Sequence, residues 1–490
     1  MSLEDKDLIS IQEARNLAKK AKEAQKIVSE FDEKQIDSIL RSMVKAASEN
    51  AARLAEMAVS ETGFGKIADK TFKNEFASTI LYDYIKDMKT IGIIREDTEK
   101  KLIEIAEPMG VLMGIIPSTN PTSTIIFKSI IALKTRNGIV FSPHPSAVVC
   151  SMEAAKLMAE AAVSAGAPEG IIGCMSKLSM EGTDALMHAP EIALILATGG
   201  SAMVKSSYSS GKPALGVGPG NVPAYIEKTA DIEKAVRNII ASKTFDNGTI
   251  CASEQSVIVE TGDRDQVIAE FTKQGAYFMS PEETAIVSKS LFTNSLGMNQ
   301  QLMGRSPQEI ARKTGITIPE GTTVLIGEQK GVGREYPLSY EKLTTVLAFY
   351  TVEDWKEACD LCIKLLHNGG IGHSISIHTE DREMVLKFAT KPVFRILVNT
   401  PSSQGGVGAS TALAPSFTLG SGTWGGSSTS DNVTPMHLIN IKRIAYGIKD
   451  VTAQQPNTIV KSGGAVTSEQ ISSIVSEILR RIEESGGING

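Results

Sequence analysis

Up to about residue 90, apolar positions recur at three- and four-residue intervals. Ile9, Ala14, Ala18 and Ala21 make one such stripe, and Ile36, Ile39, Leu40 and Met43 another. That spacing stacks side chains on one face of a helix, so several helices are predicted there. The pattern then changes. MGVLMGIIP (109–117) is a continuous apolar run of the kind that forms a buried strand, and TSTIIFKSIIALKT (122–135) reads as a helix. GIVFSP (138–143) is a strand again, and PSAVVCSMEAAKLMAEAAVSAG (145–166) is a helix ending at Gly166. GIIGCM (170–175) and IALILATGG (192–200) are further strands. Strands alternating with helices predict a parallel, doubly wound sheet. A second series follows: SVIVE, TTVLIG, TTVLAFY and SISIHT as strands, DRDQVIAEFTKQG and TVEDWKEACDLCIKLLHNG as helices. Residues 400–432 form a long Gly-, Ser- and Thr-rich loop, more often functional than decorative in a compact domain. HLINIKRIAYG (437–447) reads as an isolated strand.

The end of the chain differs again. VTAQQPNTIVKSGGAV has the composition of a flexible linker. After it, Ile471, Ile474, Val475, Ile478, Leu479 and Ile482 form one stripe opposite Ser, Glu and Arg. Thr467 or Ser468 can cap this helix, and Gly486 and Gly487 stop it. Two readings stand: the helix packs on the body or a sister subunit, or it is a docking tag for another surface.

Composition narrows the field. A chain of 490 residues, 42% hydrophobic and 22% charged, can build two or three domains with their own cores. The net charge of −6 and the 5% aromatic content speak against a nucleic-acid partner, which calls for basic patches and stacking platforms. Five cysteines, odd in number and sparse, predict a reducing cytosol and no disulfide framework. The polar N-terminus carries no secretory core, and no apolar run is long enough to span a bilayer. Cys359 and Cys362 fall one helical turn apart beside Leu361 and Leu365; with no second CxxC or CxxH, they read as structural rather than metal-binding. The six histidines form no HExxH or close cluster, so no metal is expected.

Four stretches could carry chemistry. FDNGTIC (245–251) places Cys251 between an Asn-Gly turn and a strand; a thiolate there is a candidate nucleophile, although local sequence alone favours a structural cysteine. PSTNPTS (117–123) holds Asn120 near two prolines, either a simple turn or a rigid amide donor for an oxyanion. ATGGSAMVKS (197–206) ends a strand and begins a helix, and free N–H groups there suit a phosphate. ALGVGPGNVPAYIE (214–227) spaces Gly216, Gly218 and Gly220 so that backbone comes close to a ligand or another loop, with no ionisable group before Glu227.

EPMGVLMGIIPSTNPTS, SPHPSA, ATGGSA, GVGPGN, FDNGTICASEQSVIV, EKLTTVLAFY and LGSGTWGGSSTSDNV occur in this order. Together they resemble the CoA-acylating branch of the aldehyde dehydrogenase superfamily over residues 10 to 450. They are similar to the aldehyde dehydrogenase part of bifunctional aldehyde-alcohol dehydrogenases and to microcompartment acetaldehyde and propionaldehyde dehydrogenases. The resemblance implies an α/β fold of two doubly wound domains plus a small β oligomerisation flap. It assigns 1–245 to cofactor binding, with flap strands near 93–108, and 246–432 to catalysis. Residues 433–453 would be an oligomerisation strand and 454–490 a linker and helical tail.

The resemblance further implies that Cys251 is the nucleophile, and that Asn120 with the Cys251 N–H forms an oxyanion hole. Thr198, Gly199, Gly200 and Ser201 would face the cofactor pyrophosphate. Ser142 and His144 would lie near the adenosine ribose and Glu341 at the nicotinamide ribose, with Gly218 and Gly220 also on the cofactor side. His373, in GIGHS, matches a motif of the acylating branch. Hydrolytic relatives activate water with a glutamate in a Glu-Leu-Gly-Gly motif; aligned on that motif, Gly216 replaces the glutamate, which favours thiolysis by CoA. The implied reaction is oxidation of acetaldehyde or propionaldehyde to acyl-CoA with NAD, in a cytoplasmic dimer or tetramer. The tail helix, 467–485, would dock to a microcompartment shell protein. Alternatives are another small aldehyde, such as succinate semialdehyde or sulfoacetaldehyde, with Arg395 as a cation for its acid group, or a hydrolytic enzyme. NAD is favoured over NADP because no basic cluster stands near SPHPSA.

Overall fold

The protein's structure, a computed structural model, describes residues 5–449 and 467–484. By contacts these divide into a large unit, within 1–96 and 103–443, and a small one, within 97–102 and 444–490. The helical N-terminal region is as its periodicity predicts: Lys6–Val28, Glu33–Glu49, Ala51–Thr62 and Ile67–Glu75 are helices. Asp5 caps the first through the N–H groups of Asp7 and Leu8, and Asp32 and Gln35 form a reciprocal cap on the second.

Two parallel sheets organise the large unit. The first has five strands in the order Ile172–Cys174, Gly138–Pro143, Val111–Ile116, Ile192–Thr198, Ala214–Val217. Its residues alternate between two cores, with one register shift near Ile192. Leu112, Ile116, Ile139, Phe141, Leu194 and Leu196 face one side, and Val111, Met113, Ile115, Val140, Ile195 and Ala197 the other. A sheet buried on both faces needs helices on both, which is why its strands read as unbroken apolar runs.

The second sheet has seven strands in the order Ala276–Phe278, Val324–Glu328, Val346–Val352, Glu254–Glu260, Val222–Ile226, Gly372–His378, Val393–Val398. It alternates likewise, with Ile258, Leu325 and Ile375 on one face and Val257, Val324 and Phe349 on the other. The strand Val222–Ile226 pairs with Glu254–Glu260 and Gly372–His378, so the chain crosses between sheets at residues 218–221. A third sheet joins Gly92–Asp97, Leu102–Pro108 and Ile439–Ala445. The predicted tail helix spans Ser468–Glu484, and its six stripe residues are each about half exposed. The whole predicted linker, and the stop at Gly486 and Gly487, lie outside the described residues.

Candidate active site

The strand Val111–Ile116 runs into Pro117, and Pro121 then opens the helix Pro121–Lys134. Proline suits a first helical position because its missing N–H has no partner there anyway. Asn120 is thereby fixed at the carboxyl end of a central strand, where open α/β sheets bind ligands. The strand Ile192–Thr198 ends beside it, and the helix Ser201–Ser209 starts behind Gly200 with no side-chain cap on its N–H groups. The Thr198 hydroxyl is buried without a protein partner.

The second sheet meets these groups with the opposite, amino-terminal ends of its strands. Cys251 precedes Glu254–Glu260, Glu341 precedes Val346–Val352, and Gly369 precedes Gly372–His378. Asn120, Thr198, Ser201, Gly218, Cys251 and Glu341 all line one cavity of about 450 Å³. Next to it lies a second of about 310 Å³, lined by Ser142, His144, Met180 and Thr183. Thr198 and Gly199 border both, so one extended ligand could span the two.

Cys251 is half-buried on the cavity wall. Burial pushes its thiol up to about 12; Glu341 adds to this, while Arg395, its own N–H and Lys73 oppose it. Gly220 does not line the cavity. A side chain there would begin 1.7 Å from the Cys251 carbonyl oxygen, so glycine is required where the two loops touch. Its N–H donates to Glu341 Oε1 at 2.7 Å, and burial raises the Glu341 carboxyl above its usual range. Gly218 has open space around it and does face the cavity.

Gly216, the position aligned with the glutamate, is not among the residues lining the cavity. A Cβ there would point at Val204 and Tyr208, 2.7 and 2.9 Å away, and its N–H donates to the Tyr208 hydroxyl at 2.8 Å. The neighbouring Val217 faces the cavity instead. With Ile250, Val407, Phe417 and Leu419 it makes an apolar chamber around Cys251. Among the described lining residues the one carboxylate is Glu341.

Arg395 is not on the lining. Its guanidinium is buried and donates to Asn432 Oδ1 and to the carbonyls of His373, Gly420 and Ser430. It pins the Gly- and Ser-rich loop whose Val407, Phe417 and Leu419 reach the chamber, and does not wait for a substrate acid group. His373 is buried, its Nε2 has no partner, and burial holds it neutral, down to about 3.

Sequence reasoning missed a charged cluster under Asn120. Asp246 is fully buried and accepts from the ammonium groups of Lys70 and Lys73 and from the Lys66 N–H. Lys73 also donates to Asn120 Oδ1 at 2.6 Å and to Thr249 Oγ1 at 3.1 Å. Burial works to raise the Asp246 carboxyl, but the two lysines outweigh it and hold it low. Burial, helped by Lys70 and opposed by Asp246, brings Lys73 down to about 8. The sequence signal existed: Lys70 and Lys73 sit at helical spacing on Ile67–Glu75, and Asp246 lies within FDNGTIC. The helix packs unconventionally, with Ile67 and Phe72 exposed and the lysines inside.

A family model described as the aldehyde dehydrogenase family matches residues 7–285. The chain belongs to the aldehyde dehydrogenase family. The bifunctional aldehyde-alcohol dehydrogenase of Escherichia coli is 46% identical over 442 residues, covering 89% of this chain and 50% of that protein. This chain therefore spans about half the length of such curated relatives. An acetylating aldehyde dehydrogenase structure from Geobacillus thermoglucosidasius is 52% identical with a TM-score of 0.90, covering 92% of this chain and 100% of that one. A propionaldehyde dehydrogenase from the fucose-utilisation microcompartment of Clostridium phytofermentans is 28% identical with a TM-score of 0.80, covering 88% and 96%. The fold is that of the aldehyde dehydrogenases, as its motifs imply.

Proposed function

We propose that this aldehyde dehydrogenase oxidises a short aliphatic aldehyde, acetaldehyde or propionaldehyde, to its acyl-CoA with NAD, through a thioester on Cys251. The observation that carries this reading is the shared cavity: a thiol and an amide on one wall, and apolar Val217 in the chamber around the nucleophile. The Cys251 thiol releases its proton to solvent, its sulfur bonds to the carbonyl carbon, and the oxygen, taking the electron pair of the broken C=O π bond, becomes an oxyanion beside the Asn120 amide and the Cys251 N–H. Bound NAD supplies the hydride acceptor that turns this adduct into a thioester. The CoA thiolate then attacks the acyl carbon, the bond to Cys251 breaks, and the cysteine leaves as thiolate. Water is a poor rival without a poised base, whereas a CoA thiol is partly ionised at neutral pH.

The residues fit the dinucleotide. Thr198 has an unsatisfied buried hydroxyl, and Gly199, Gly200 and Ser201 open a helix whose N–H groups suit a pyrophosphate. Ser142 and His144 line the adjoining cavity, the place for the adenosine ribose, and Glu341 lines the nucleophile's cavity, the place for the nicotinamide ribose. No lysine or arginine is among the described residues lining the Ser142 cavity, which favours NAD over NADP. The apolar chamber and the engagement of Arg395 favour an uncharged aldehyde over succinate semialdehyde or sulfoacetaldehyde.

A homo-oligomer built through the three-stranded sheet would cover Ile93 and Ile441, both exposed. The amphipathic tail helix is read as a docking element for a microcompartment shell in the cytoplasm, supported by its exposed stripe and by the microcompartment relative. Among the described residues, no helix is long and apolar enough to cross a membrane. Cys251→Ala tests the proposal: the variant should keep its melting temperature and lose CoA-dependent NADH formation. Retained turnover would remove Cys251 from the chemistry.

A further inference from the structure

A primary amide has two ends that look alike in shape and opposite in chemistry. An oxyanion needs the NH2 end of Asn120, so something must decide which way the amide lies. Lys73 makes that decision. An ammonium group has donors only, so the Asn120 atom 2.6 Å from Lys73 Nζ must be the oxygen. The Asn120 NH2 is left with two long contacts, 3.1 Å to Thr119 Oγ1 and 3.3 Å to the Thr249 carbonyl. Such contacts are readily exchanged for a charged acceptor.

The geometry points to Lys73 as a positioning residue of the acyl-transfer site: its buried ammonium orients and polarises the Asn120 amide, and through Thr249 and Asp246 it anchors the loop that carries Cys251. This rests on the function proposed above. A cation against the amide oxygen draws electron density from nitrogen and makes its N–H groups stronger donors. Lys73 and Asp246 are buried, so little solvent screens the effect. Asp246 and Asn247 both hold left-handed backbone, φ 48° and 51°, and the ion pair holds this turn in place two residues before Thr249. Gly65 marks how closely the cluster is packed, since a side chain there would meet Asp246 Oδ1 at 1.8 Å. Lys70 is the internal control. It binds the same carboxylate at 2.8 Å but donates its other bond to the Thr119 carbonyl, not to Asn120.

The test is a double-mutant cycle on the full-length enzyme, with steady-state kinetics for aldehyde, NAD and CoA. Lys73→Met should lower kcat about tenfold to a hundredfold, the scale of a weakened oxyanion donor, with KM for NAD unchanged. Lys70→Met should cost distinctly less. In an Asn120→Ala background, Lys73→Met should cost clearly less than in the parent, because the amide it serves is gone and only its hold on the Cys251 loop remains. Iodoacetamide labelling should also show the Cys251 thiol reacting at higher pH in Lys73→Met than in the parent. If Lys73→Met does not fold, Lys73→Gln, which keeps an N–H donor without the charge, takes its place in the cycle. Equal losses for the two lysines, or full additivity with Asn120→Ala, would overturn the inference and leave Lys73 a packing residue. Asn120→Ala without effect would instead overturn the proposed function, so the two failures are distinguishable.

Discussion

At the scale of single residues, the chemistry depends on how charge is distributed around one thiol. Cys251 in the free enzyme is held in its protonated form, with burial and Glu341 outweighing Arg395 and Lys73. Its alkylation without cofactor or substrate should therefore climb with pH toward about 12, with no plateau near neutrality. The sign for stability follows. A thiol whose folded pKa lies above its ordinary value of 9.0 keeps its proton longer when folded, so its contribution declines as pH rises from 9 toward 12. A labelling plateau near pH 7 would contradict this. Asp246 gives a second test. Asp246→Asn leaves two buried ammonium groups facing a neutral amide, and the expected cost is about 3–5 kcal/mol in denaturant unfolding. A loss below about 1 kcal/mol, the size of an exposed pair, would show that the cluster is hydrated. These charges were not legible beforehand, because lysines at helical spacing read as a solvated face until the fold shows which side is inside.

At the scale of elements, apolar runs located the strands and their alternation gave the doubly wound class. What they could not show was which sheet a strand joins. Val222–Ile226 follows Ala214–Val217 so closely that it reads as the same domain, yet it pairs in the other sheet. A strand's period of two also makes one residue decisive, because a single slip turns every side chain to the opposite face. That is the difference between Gly216, which packs toward Tyr208, and Val217, which lines the chamber. Two variants separate them. Gly216→Glu should destabilise the protein by about 1–3 kcal/mol through overpacking against Val204 and Tyr208. Val217→Glu should place a carboxylate in the chamber and increase the free acid formed per NADH, measured by product chromatography. If Gly216→Glu yields acid and Val217→Glu does not, the assignment of faces is wrong.

At the scale of the whole molecule, the site exists because one sheet offers the carboxyl ends of its strands and the other the amino ends. The motifs Asn120, Thr198–Ser201, Gly218, Cys251 and Glu341, spread over more than two hundred residues, reach one cavity for that reason. Ser142 and His144 come to the adjoining cavity, and Gly220 to a backbone contact just outside. Order and spacing of motifs pointed to these positions; the spacing of Lys70 and Lys73 was visible too, but only the fold shows that their side of the helix is the inside. Deletion of 454–490 should leave aldehyde oxidation intact and abolish co-purification with microcompartment shells, whereas loss of the oligomer on truncation would assign the tail to subunit contacts. The central claim is that Cys251 hands its acyl group to CoA. It is tested most directly by incubating the protein with acetaldehyde or propionaldehyde and NAD, with and without CoA, and identifying the products. NADH and acyl-CoA in equal amounts, formed only when CoA is present, is the predicted result; free acid formed steadily without CoA would contradict it.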